Sequence, residues 1–188
     1  MVEARGCGVS DATRPLGVFP HKVQRLSLVI AAIIFLADQA SKCLALYTLE
    51  LEVTGPRPLT PFLDLVLVWN RGISYGLFQQ HEDIGRYALV MLSLFAAAGF
   101  LIWLRRVNRL MPALAIGLIT GGALGNAMDR LFYGAVVDFV LLHWGEWRWY
   151  VFNLADAAIV FAVALLLYDS WLGNAKMSHH GASQENRT

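Results

Sequence analysis

Charge is what this chain of 188 residues has least of: Asp, Glu, Lys and Arg make up 15% of it, against about 25% in a soluble domain. The two signs nearly cancel, at a formal net charge of +1. No basic face is left for a phosphate backbone, so nucleic acid is excluded as a partner. Only two cysteines occur, Cys7 and Cys43, too few for a disulfide framework and without a metal-ligating spacing. An H-E-x-x-H motif is absent, as is any Cys/His cluster, so neither a metal nor another cofactor is expected. Disorder is excluded by the opposite imbalance, since 57% of residues are apolar and the mean hydropathy is +0.51.

What the chain does have is length in its apolar runs. A hydrocarbon layer about 30 Å thick takes about 20 apolar residues to cross as a helix. Four stretches qualify: Leu26–Tyr47, Tyr87–Leu104, Leu110–Leu131 and Val151–Leu172. None alternates as a membrane β-strand would, so all four are expected to be helices. Lys and Arg concentrate in 1–25, 105–110 and 173–188, whereas the external loops, 48–85 and 132–150, hold only Arg57, Arg71 and Arg148. The positive-inside rule then puts both termini in the cytoplasm. The expected division is a flexible tail over 1–24, a membrane domain over 25–172 and a second flexible tail over 173–188. The adjacent His179 and His180 read as inert.

The first span is expected to be retained rather than cleaved. Ala40-Ser41-Lys42-Cys43 brushes against a lipoprotein cleavage box, but lysine before the cysteine spoils it.

Polar residues inside apolar spans are costly and mark function or pairing. Asp38 lies 13 residues beyond Arg25, a rise of roughly 20 Å at 1.5 Å per residue. Asn126, Asp129 and Arg130 reach a similar level on the third span, and Asn153 and Asp156 open the fourth. All three groups therefore meet at one depth, near the external surface. Asp38 and Lys42 share a helical face at i,i+4, and Asn126, Asp129 and Arg130 are related by three and four.

One reading of these groups is structural, with Asp38 paired to Lys42, and Asp129 to Arg130 or another partner. It serves poorly for Asp138 and Asp156, which have few cations at their level. Two carboxylates brought together share a proton and can activate a water between them.

Other signals are weaker. Gly117, Gly121 and Gly125 make overlapping G-x-x-x-G repeats, which place the third span centrally by close packing. Gly72-Ile73-Ser74-Tyr75-Gly76 matches a serine nucleophile pattern without the helix that should follow, so a serine mechanism is not expected. Pro56 to Pro61 is rich in turn residues and leads into a strand-like run, Phe62–Trp69. Trp144, Trp147, Trp149 and Tyr150 read as an interfacial aromatic belt.

Taken in order, these blocks resemble the lipoprotein signal peptidases, or signal peptidase II family, the aspartic membrane peptidases of bacterial prolipoproteins. The matching blocks are Asp38-Gln39-Ala40-Ser41-Lys42, Trp69-Asn70-Arg71-Gly72-Ile73-Ser74-Tyr75-Gly76, Gly121 to Arg130, Val137-Asp138-Phe139 and Phe152-Asn153-Leu154-Ala155-Asp156. The resemblance implies four transmembrane helices with a small extracytoplasmic β-cradle and an interfacial periplasmic segment. It implies that Asp138 and Asp156 are catalytic, and that Asp38, Lys42, Asn70, Gly72, Asn126, Asp129, Arg130 and Asn153 line the site. The implied partners are a diacylglyceryl-modified prolipoprotein, cut just before its lipidated cysteine, membrane lipids, and the inhibitor globomycin. The implied location is the bacterial inner membrane with the site at its outer face, and no oligomer is required. Where the family often has two alanines and a phenylalanine, this chain has Ile73-Ser74-Tyr75. The competing readings are a non-enzymatic scaffold and a small transporter, either using the same ionic groups only to pair helices. An intramembrane aspartic peptidase of another type commonly carries a Gly-x-Gly-Asp block, absent from this chain.

Overall fold

The computed structural model describes residues 22–72 and 83–185, with the backbone alone from residue 173 onward. Its long helices are α1 (Lys22–Cys43, prolonged by a wider π-helical turn, Leu44–Thr48), α3 (Asp83–Leu104), α4 (Leu110–Tyr133) and α5 (Leu154–Glu185). Each has the length and apolar composition to cross a membrane. A short helix, α2 (Leu51–Thr54), precedes four antiparallel strands in the order β1 (Arg57–Thr60), β2 (Leu63–Asn70), β3 (Val136–Trp144) and β4 (Trp147–Phe152).

Several sequence boundaries move. The N-terminal tail was expected to reach residue 24, but α1 already starts at Lys22. Gln24 is buried there, its amide donating to the carbonyls of Leu104 and Arg105 at 3.1 Å and satisfying the exposed end of α3. The fourth span starts at Leu154 rather than Val151, because Val151 and Phe152 pair with β3 instead. The chain after residue 172, expected as a flexible tail, continues α5 to Glu185. Extending a helix already nucleated costs little even through polar residues. Ile73-Ser74-Tyr75 and most of the N-terminal tail lie outside the described residues.

Helix α4 is the axis of the bundle. Of its most apolar stretch 72% is buried, against 22%, 17% and 22% for α1, α3 and α5, so only α4 is enclosed by protein on most sides. The others turn residues such as Leu36, Phe95 and Phe161 outward, as lipid-facing helices do. Glycine allows this arrangement. A Cβ on Gly117 or Gly121 would lie 2.5 Å from the carbonyl oxygen of Ser27 or Ala31 on α1. On the other side, one on Gly122 would lie 2.7 Å from the carbonyl oxygen of Ala155 on α5. Backbone therefore meets backbone on both flanks, and no side-chain movement can relieve the contact. Gly121→Ala is expected to destabilise the protein by about 1–3 kcal/mol by forcing α1 away. Gly99→Ala on α3, where nothing lies within 4 Å, should leave the thermal midpoint in detergent essentially unchanged. Equal midpoints for the two variants would contradict the close α1–α4 packing.

At its C-terminal end α4 stops at Gly134, whose φ of +78° is left-handed and whose N–H returns to the Arg130 carbonyl at 3.2 Å. The chain then reverses directly into β3. The pairing sets Val68 opposite Asp138 and Asn70 opposite Val136, which makes Asn70 a diagonal neighbour of Asp138 on one sheet face. Val140 opposite Phe152 brings Tyr150 of β4 to the same face.

Candidate active site

That sheet face lies over the level at which the helix carboxylates gather. Lys42 of α1 is the hub of the helical part, 2% exposed. Its ammonium has three N–H groups and three partners: Asp38 Oδ2 at 2.6 Å, Asp129 Oδ2 at 2.7 Å and Asn126 Oδ1 at 3.1 Å. Asp38 thus pairs with Lys42 as expected from i,i+4 spacing. Asp129 pairs with Lys42 across helices rather than with its neighbour Arg130. Both carboxylates are fully buried and gain further donors. Asp38 Oδ1 accepts from the Ala155 N–H at 2.9 Å, in the first turn of α5 where helix N–H groups lack partners. Asp129 accepts from Gln39 Nε2 at 2.9 Å and from the Val137 N–H at 3.2 Å, which ties β3 down onto α4.

Asn153 caps α5. Its Oδ1 accepts from the Asp156 N–H at 3.0 Å, while its own N–H reaches Asp156 Oδ2 at 3.4 Å, a reciprocal cap with Asn and Asp in the usual Ser and Glu roles. The same side chain donates Nδ2 to Asp138 Oδ1 at 2.6 Å and to Asn126 Oδ1 at 3.2 Å. One residue therefore touches both Asp138 and Asp156.

Asp156 Oδ1 also accepts from Asn126 Nδ2 at 2.8 Å. Asp138 Oδ2 accepts from Asn70 Nδ2 at 3.0 Å. The loop turn beyond β2 is held by the Gly72 N–H donating to Asn70 Oδ1 at 3.0 Å and by Arg130 donating to the Gly72 carbonyl at 3.1 Å.

Asp138 is 1% exposed. Burial pushes its carboxyl up to about 7, the nearby Asp156 charge pushes the same way, and the Asn70 and Asn153 hydrogen bonds oppose them. Near neutral pH Asp138 is therefore poised between its protonated and ionised forms.

The site opens into a cleft of about 200 Å³. Asn70, Asn126, Arg130, Tyr150 and Asp156 form its polar side, and Leu89, Leu92 and Val136 its apolar side. Leu92 is 61% exposed, so the apolar wall is continuous with the lipid-facing side of α3.

All ten residues singled out from the sequence thus fall in one hydrogen-bonded assembly. Sequence reasoning missed Gln39, which joins Asp129 to the Gly125 carbonyl at 3.3 Å, although its place within the Asp38–Lys42 block was a signal. It also missed Tyr150, grouped with the aromatic belt. Trp144, Trp147 and Trp149 are exposed as an interfacial belt requires, but Tyr150 turns inward to Asn70 and Asp138.

Apolar helices with carboxylates gathered beneath a surface sheet define a class: membrane-embedded peptidases of the aspartic type. The chain belongs to the signal peptidase II family, whose model, described as "Signal peptidase (SPase) II", matches residues 30–172. It is 57% identical over 133 residues to the lipoprotein signal peptidase of Methylorubrum extorquens (strain PA1), covering 71% of this chain and 78% of that one. To the lipoprotein signal peptidase of Methylobacterium radiotolerans it is 54% identical over 151 residues, covering 80% and 86%. A bacterial membrane enzyme structure solved by the in meso method at 2.3 Å superposes with a TM-score of 0.69 at 22% identity, covering 81% of this chain and 91% of that one. At that identity the likeness is one of fold. Family membership sets aside the scaffold and transporter readings.

Proposed function

We propose that Asp138 and Asp156 are the catalytic pair with which this signal peptidase II removes the signal peptide from a diacylglyceryl-modified prolipoprotein. The observation that carries this is Asn153, which binds both carboxyls at the head of α5 beside an open cleft. Asp156 lines the cleft and acts first as base, taking a proton from water as the oxygen adds to the scissile carbonyl. Asp138, whose protonated form burial favours, is the acid that supports the developing oxyanion and then protonates the leaving nitrogen as the C–N bond breaks. The polar wall of Asn70, Asn126 and Arg130 holds the peptide. The apolar wall at Leu89 and Leu92 passes the acyl chains out to the bilayer.

The layout suits an enzyme of the bacterial inner membrane with both termini cytoplasmic. Its sheet and site then lie at the outer face, where a lipidated cysteine is held by its acyl chains. One chain carries the whole constellation, so an oligomer is not needed. Globomycin is expected to inhibit by occupying the pair.

The decisive assay is a gel-shift cleavage in detergent or lipid with one prolipoprotein, with and without its diacylglyceryl group. Signal peptide release from the lipidated form only, blocked by saturating globomycin, is the expected result. Cleavage of both forms at equal rates, or activity indifferent to the inhibitor, would overturn this reading.

A further inference from the structure

Asp138 must change protonation during the cycle just described, yet two of its partners can only donate to it. Asn153 Nδ2 and Asn70 Nδ2 are donors, well matched to a carboxylate and unable to accept from a carboxylic acid. Neither amide is free to turn over: Asn153 Oδ1 holds the Asp156 N–H, and Asn70 Oδ1 holds the Gly72 N–H. The Tyr150 hydroxyl stands 3.5 Å from Asp138 Oδ2 while accepting from Asn70 Nδ2 at 2.8 Å. A hydroxyl both donates and accepts, so Tyr150 alone among these three groups can donate to the carboxylate and also accept from the carboxylic acid. Tyr150 also lines the cleft.

We infer that Tyr150 is a positioning residue for Asp138: its hydroxyl donates to the carboxylate, turns to accept from the carboxylic acid, and so lets Asp138 cycle without leaving its bonds to Asn70 and Asn153. The inference deepens the proposed function and rests on Asp138 being catalytic.

The groups around Asp138 fix the sign of the test. They are Asp156 on α5, Lys42 on α1, Arg130 and Asp129 on α4, Asn70 on β2 and Tyr150 on β4. Only the last changes in Tyr150→Phe. The bond to a charged carboxylate is the stronger of the two that the hydroxyl makes, so losing it favours the protonated form. Asp138 would then hold its proton to higher pH, and the alkaline limb of the pH–rate profile would move up.

Tyr150→Phe is expected to lower kcat about 10- to 100-fold with little change in KM, the size of one hydrogen bond to a charged group. Replacing Tyr150 by 3-fluorotyrosine, a slightly better donor of nearly the same shape, should move the limb the opposite way and keeps the test available if the phenylalanine variant misfolds. Limbs shifted in opposite directions support the inference. A uniform loss of rate with the limb unmoved, or wild-type behaviour in both, overturns it. Asp138→Asn run alongside separates the two readings. If that variant stays active the catalytic pair is wrong; if it is dead while both Tyr150 variants match wild type, only the role of Tyr150 fails.

Discussion

Asp138→Asn will abolish signal peptide release, by about 10³-fold or more, while the protein remains folded. An amide of the same shape cannot hold or give up the shared proton. Its nitrogen must also face either Asn70 Nδ2 or Asn153 Nδ2, one donor against another. That mismatch costs about 1–3 kcal/mol. It is offset because the amide never ionises, whereas burial disfavours the ionised carboxyl of Asp138. The net change in thermal midpoint should therefore be small. Asp156→Asn should be equally inactive, since the amide cannot take a proton from water. The measurement is cleavage of a lipidated prolipoprotein beside thermal unfolding in the same detergent. Residual activity above a few per cent in either folded variant would remove that carboxylate from the chemistry.

Lys42→Met is expected to fail differently, through stability. Methionine fills nearly the same volume but leaves Asp38 and Asp129 fully buried with no cation between them. Removing one partner from a buried ionic network costs about 3–5 kcal/mol, enough to empty the membrane of folded protein or to force a proton onto one carboxyl. The double variant Lys42→Met with Asp38→Asn should recover part of the loss, because one orphaned charge is gone. The thermal midpoints of the four proteins form a double-mutant cycle that measures this coupling. A Lys42→Met protein as stable as wild type would mean that the network contributes little. Asn126 adds a functional arm to the prediction: it accepts from Lys42 and donates to Asp156, so any folded Lys42→Met protein should also be slow.

The spans were legible because apolar length is a local property of the chain, and the glycine repeat announced the central helix by its spacing. The ten residues that meet in the assembly stood out in the sequence for two reasons: most are polar groups in or beside apolar runs, and they fall in a familiar order of motifs. Pairings across elements were not legible. Nothing local in Asp129 points to Lys42, 87 positions away. The hairpin β3–β4 was read only as an external loop. Its first residues, Val136, Val137 and Asp138, are all buried, so the alternation that identifies a strand is lost where the sheet meets α4. Tyr150 hid among tryptophans because its neighbours do face outward, and only the register with β3 turns it toward Asp138.

The cap of the last helix has a biosynthetic consequence. Asn153 starts α5 and orients both aspartates, while the Ala155 N–H takes its acceptor, Asp38, from the first span. A chain inserted in the bilayer but not yet packed therefore has no site at all. On the proposed mechanism, the catalytic geometry is complete only once α1 and α5 have both packed on α4.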